Sequence, residues 1–149
     1  NSANRPYIAG SPSIGLGVIS VAQTAVPSDG AIPLVVNAPT AIAGIYGNTA
    51  TVDWAPVDRA VTGDVKTALQ GGAANNLACA ALPAGSLSGK IALIDRGTCS
   101  ISVKVDNAAK AGATGVLIGL IAPGDAVSFS FGGGDTFVPT LVIQQSLAN

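Results

Sequence analysis

Four sets of residues here have types and spacings that could do chemistry: eight aspartates, the Asp95-Arg96 pair, the Gly132-Gly133-Gly134-Asp135 loop and two cysteines. What is missing decides more. The chain has no histidine and no glutamate. A Ser–His–Asp or Cys–His nucleophile needs a base that titrates near neutrality, and this composition lacks one. Paired carboxylates can do acid–base work. Asp53 and Asp58 are the nearest pair a turn would bring together, and solvated loop carboxylates are the simpler reading. Asp95-Arg96 falls at the C-terminal end of a presumed parallel strand, where open α/β sheets place ligands. It is either a ligand-orienting pair, a structural ion pair, or a carboxylate bonded to the N–H groups of the next turn; the structural readings are favoured. Phosphate cradles need a glycine loop directly before a helix. A strand-like run containing Pro139 follows this one, so it reads as a mobile loop. Asp125 and Asp135 could share a calcium ion but lack further oxygen donors in register. Gly85-Ser86-Leu87-Ser88-Gly89 has Leu at the centre, so it is a turn and not a nucleophile elbow. Asp95, Arg96 and Asp135 remain as candidate binding residues, with no metal and no cofactor expected.

Cys79 and Cys99 are the whole thiol inventory. In a cytosolic protein they would be buried thiols or a weak metal pair, although CxxC spacing is absent and no histidine could complete a zinc site. In an exported protein they would be a disulfide. Sparse charge, at 10%, and the lack of Glu suit export and favour the bridge. Closing a loop of about 20 residues would be worth roughly 3 kcal/mol on the loop-entropy model. Such a bridge reads as structural rather than redox-active.

The elements that must position these residues can be read around Gly89 to Ile118. A short apolar run, Ile91 to Ile94, stops at Asp95-Arg96-Gly97. A helix is expected from Ser100 to Ala111, with Ser100 or Ser102 as cap and Gly112 as stop. A second apolar run begins at Gly115. Strand, helix and strand make a βαβ unit whose strands are parallel and buried on both faces. Ile101, Val105, Ala108 and Ala109 form the helix's narrow apolar stripe; Lys104, Asp106 and Lys110 fall off it. Further strands are expected at Ile32 to Val36, Thr49 to Trp54 and Phe137 to Ile143, with Pro139 placing the last at an edge or bulge. Val61 to Leu69 is ambiguous between strand and short helix. Turns are expected at Gly10 to Ser13 and Pro27 to Gly30, a loop at Gly71 to Asn76, and a truncated helix at Ser146 to Asn149.

The 149 residues make one domain, or one domain with an extension. A net charge of −1 and the lack of any Lys/Arg cluster exclude a nucleic-acid footprint and argue against an anionic membrane surface. No apolar run approaches the roughly 18 residues of a transmembrane helix. No signal peptide is visible, and methionine is absent. The chain therefore reads as a processed or excised piece of something longer.

Lys90 to Gly97 with Cys99, Lys104-Val105, Asn107-Ala108, Ala111-Gly112-Ala113 and Gly115-Val116 together resemble the protease-associated (PA) domain. The Cys79/Cys99 pair, the Phe131 to Asp135 loop and Val138 to Gln145 extend the resemblance, which covers about residues 38–149. It implies a mixed α+β fold: a β-rich open barrel or sandwich with flanking short helices and one βαβ unit. It also implies a non-catalytic module that docks polypeptide substrate, contacts the catalytic domain of its protease, or gates the cleft. Residues 1–37 form a strip plus linker. Asn1-Ser2, Pro6 to Ser13 and Val18 to Ala22 resemble a subtilisin-like serine protease after its oxyanion asparagine, which would make Asn1 the oxyanion donor. That family's Asp, His-Gly-Thr and Gly-Thr-Ser motifs are absent, so this stretch alone is expected to be inert. The leading expectation is the PA module of a secreted, extracellular subtilisin-like protease. A zinc aminopeptidase or a sorting receptor is the alternative host, and a small α/β ligand-binding domain is a third reading.

Overall fold

The computed structural model describes residues 32–69 and 76–149. Asn1, the strip that follows it, the turns at Gly10 and Pro27, and most of the loop before Asn76 lie outside the described residues. The described elements are strands β1 (Leu34–Val36), β2 (Gly44–Tyr46), β3 (Thr49–Thr51), β4 (Val65–Thr67) and β5 (Ile91–Asp95), helix α1 (Ile101–Lys110), strands β6 (Gly115–Gly119) and β7 (Thr140–Ile143), and helix α2 (Gln145–Ala148). β1 and β2 pair as an antiparallel hairpin, and the other five strands form one sheet in the order β3-β7-β6-β5-β4. All neighbours in that sheet are parallel except β3 and β7. The class is mixed α+β, with two sheets, short helices and the βαβ unit β5–α1–β6.

The side-chain period of two sorts the sheet residues onto two faces. Ala92 and Ile94, Val116 and Ile118, and Val142 point toward α1 and join Ile101, Val105 and Ala108 in the main core. Leu117, Leu141 and Ile143 point the other way, against Leu34, Val57, Leu93 and Leu147. Full burial of each Val, Ile or Leu in the main core contributes about 1.5–3 kcal/mol. On the second face α2 sits directly over β6. A Cβ on Gly119 would come within 2.5 Å of the Ala148 Cβ, so only glycine allows that approach.

Four expectations are corrected or sharpened. Pro139 does not put its strand at an edge: β7 starts at Thr140 and is paired on both sides, to β3 and to β6. The missing N–H falls one residue before the ladder, and the Pro139 carbonyl still accepts from Val116 N at 2.9 Å. The ambiguous stretch at Val61 to Leu69 is a strand over three residues only, at the exposed edge β4. Falling off the apolar stripe does not put a residue of α1 in solvent, because loops cover the helix on a second side. Lys104 has no exposed surface and Asp106 is 7% exposed. Ser100 occupies the N-cap position, but its hydroxyl makes no cap bond and pairs instead with the Ser102 hydroxyl at 3.1 Å.

Candidate functional site

β5 ends at the sheet's C-terminal edge. The Arg96 N–H extends its pairing by donating to Gly119 O at 2.8 Å, and the Asp95 N–H donates to Asn76 O at 2.9 Å. The chain then turns through Gly97 and Thr98 into α1. Gly97 leaves room for Leu77, whose methyl would collide with any Cβ there. Cys99 is bonded to Cys79, with Cα atoms 5.8 Å apart. The bridge fastens residues 76–79 to the turn between β5 and α1. Two further bonds fasten the same loop to the helix: the Asn107 amide donates to Ala78 O at 2.9 Å, and the Lys104 ammonium donates to Leu77 O. Ala78 holds a left-handed φ of 49° at the centre of this lacing.

Opposite the turn lies the long connection from β6 to β7. Trp54 Nε1 donates to Phe129 O at 2.8 Å and fixes that segment. Trp54 also packs edge-on against Phe137, with ring centroids 5.3 Å apart. The Arg96 guanidinium lies over the Phe129 ring, 5.3 Å from its centroid. A shallow cleft of about 210 Å³ opens here, lined by Arg96, Cys99, Ser100, Ile101, Phe129 and Ser130. Small-molecule pockets run from roughly 300 to 1,000 Å³. The cleft is smaller than that range.

The predicted site residues separate. Arg96 lines the cleft and stacks on Phe129; the ion pair with Asp95, one of the structural readings of this pair, does not form. Among the described residues the Asp95 carboxylate makes no hydrogen bond to the following turn either; its effect is electrostatic, on Lys104. Asp135 sits away from the cleft, in the glycine loop packed against α1. Its Oδ1 is 2.9 Å from Lys110 Nζ and accepts from the Thr136 hydroxyl at 2.8 Å. Asp106 Oδ1 accepts the N–H groups of Asp135 and Thr136 at 3.1 and 2.9 Å, while Oδ2 pairs with Lys110 at 2.9 Å. The Gly132 N–H donates to the Ser102 hydroxyl at 2.9 Å. The glycine loop read as mobile is thus tied to α1 along its length. Asp125 accepts from the Asn48 amide at 2.7 Å rather than converging with Asp135. Asp58 pairs with its neighbour Arg59, and Asp53 is exposed. Among the described residues no three His, Cys, Asp or Glu side chains come together.

Two buried charges frame this region. Burial pulls the Lys104 ammonium down to about 8, against a smaller opposing pull from Asp95. Burial would raise Asp106, but Lys110 and the Asp135 and Thr136 N–H groups outweigh it and hold the carboxyl at about 2. The sequence reading missed Phe129 as a cleft residue, Trp54 as the anchor of the Phe129 segment, and Lys104 as a buried group. Lys104 stands in the block that carried the family resemblance, which was the one available signal.

No curated protein matches this chain. Among solved structures it is similar to the aminopeptidase from Aneurinibacillus sp. strain AM-1, at 43% identity and a TM-score of 0.37, over 40% of this chain and 15% of that one. The family model of the PA domain matches residues 33–149. With that match spanning most of its length, the chain belongs to the PA domain family.

Proposed function

We propose that this chain is the polypeptide-docking module of a secreted, subtilisin-like serine protease. PA domains are themselves non-catalytic modules associated with proteases, in keeping with a chain that has no histidine. The observation that carries the docking reading is the cleft at the end of β5. A guanidinium, two serine residues and an aromatic ring meet there in a volume of about 210 Å³. The neighbouring strand β4 is exposed throughout and pairs on one side only, to β5. A free edge offers N–H and C=O groups to an extended peptide, and a cleft can read a side chain. The bridge between Cys79 and Cys99 fits an extracellular location. Among the described residues no helix is long and apolar enough to cross a membrane.

The subtilisin-like host rests on the N-terminal strip from Asn1 to Ala22, where Asn1 would be the oxyanion donor of the parent. A zinc aminopeptidase or a sorting receptor is the alternative host. The test is to read the flanking open reading frame and treat the full-length protein with a serine-directed fluorophosphonate and, separately, with a metal chelator. The proposal expects upstream Asp and His-Gly-Thr motifs, a downstream Gly-Thr-Ser, and inactivation by the fluorophosphonate alone. Flanking metal-ligand motifs with inactivation by the chelator alone would overturn the host.

A further inference from the structure

We propose that the Cys79–Cys99 bridge is a thiol-exchange site: a low-molecular-weight thiol enters the Arg96–Phe129 cleft, attacks Cys99, and expels Cys79 as a thiolate held by Lys104. This inference does not depend on what docks in the cleft.

The two sulfurs sit in different surroundings. Cys99 lines the cleft and Cys79 does not. Lys104 Nζ is 3.7 Å from Cys79 Sγ, and the Thr98 hydroxyl is 3.8 Å from the same atom. The Lys104 side chain is wholly buried, and among the described residues it forms no ion pair. Burying an ammonium with no carboxylate in ion-pair contact is costly. Cleavage that leaves Cys79 negative places a counter-charge directly beside Lys104. An adjacent ammonium stabilises a thiolate, and the better-stabilised thiolate leaves faster. Asp95 is the charged group facing Lys104 from the end of β5. On α1, Asp106 is committed to Lys110 and to the N–H groups of Asp135 and Thr136.

The exchange balances as follows. A thiolate RS⁻ forms a bond to Cys99 Sγ, and the Cys79–Cys99 bond breaks. Its electron pair stays on Cys79 Sγ beside Lys104. A second RS⁻ attacks the RS sulfur of the mixed disulfide, giving RSSR and the Cys99 thiolate. Two thiols are oxidised to one disulfide, and the bridge takes up two electrons. Residues 76–79 then lose their covalent tie to the cleft wall, which links the redox state to the shape of the cleft.

The test equilibrates the full-length protein in glutathione buffers of graded redox poise. After an acid quench and alkylation, the Cys79 and Cys99 peptides are quantified by mass spectrometry. Lys104→Gln is expected to shift the equilibrium about tenfold toward the disulfide, equivalent to about 30 mV for a two-electron couple. In the wild type, glutathione should be trapped on Cys99 with Cys79 free. Identical equilibrium constants in the two proteins, or glutathione trapped on Cys79, would overturn the proposal. Should Lys104→Gln fail to fold, the reduced wild-type protein decides. Half-maximal alkylation of Cys79 below the pH of about 8.5 typical of a free thiol supports the proposal, and a value at or above it overturns it.

Discussion

Lys104 carries a charge that most folds would leave in water. Its ammonium has no exposed surface, one backbone acceptor at Leu77 and one sulfur neighbour. Burial lowers it from 10.5 to about 8. Between those two values the unfolded chain keeps a proton that the folded chain has released, so stability rises with pH across that window. Urea midpoints measured from pH 7 to pH 10 should therefore climb more steeply for the wild type than for Lys104→Met. Parallel curves would show that Lys104 does not titrate in this way. The sequence offered little warning of this burial. The helical stripe identifies the side of α1 facing the sheet, but it is blind to a second side covered by loops. Arg96 illustrates the same limit: its position at a strand end was legible, but its partner Phe129 stands 33 positions away, on a loop with no periodic pattern.

α1 is the element that organises both loops. Residues 76–79 cross it near the bridge, and the glycine loop is held along it by Ser102, Asp106 and Lys110. The Asp106 carboxyl sits at about 2, below its ordinary 3.8. Its contribution to stability is fully present above pH 3.8 and is lost as pH falls through about 2. Asp106→Asn should lack that component, so acid unfolding followed by circular dichroism should show a shallower loss of stability below pH 4 than in the wild type. An equal acid dependence would count against the loop clamp. The end of α1 is governed by Gly112, at a φ of 96°, with the Ser88 Cα 3.0 Å from where a Cβ would stand. Both the left-handed backbone and this backbone neighbour resist a side chain. Gly112→Ala should cost on the order of 2 kcal/mol, read from the shift in denaturation midpoint. Gly112 was legible because a helix stop after a periodic stretch is a local signal. The clamp was not, since it joins Asp106 to residues 29 and 30 positions later.

At the scale of the molecule, a small mixed sheet carries its chemistry-bearing residues at the C-terminal edge of its parallel strands. The βαβ unit was readable because β5, α1 and β6 are contiguous and their apolar runs are bounded by Asp95-Arg96-Gly97 and Gly112. The interior position of β7 was not, because its second neighbour β3 joins from about 90 residues earlier in the chain. Among the described residues no three His, Cys, Asp or Glu side chains come together, and the chain has no histidine. On the docking reading proposed above, the module should change how a long substrate binds and leave bond cleavage alone. The most direct measurement compares wild type and Arg96→Ala of the full-length protein on a protein substrate and on a short chromogenic peptide. Arg96 is exposed, so its loss leaves the core intact. The docking account predicts that KM for the protein substrate rises by about fivefold to tenfold, corresponding to roughly 1–1.4 kcal/mol of lost binding. It also predicts an unchanged kcat and unchanged kinetics on the short peptide. A fall in kcat on the short peptide, or no change on the protein substrate, would contradict it.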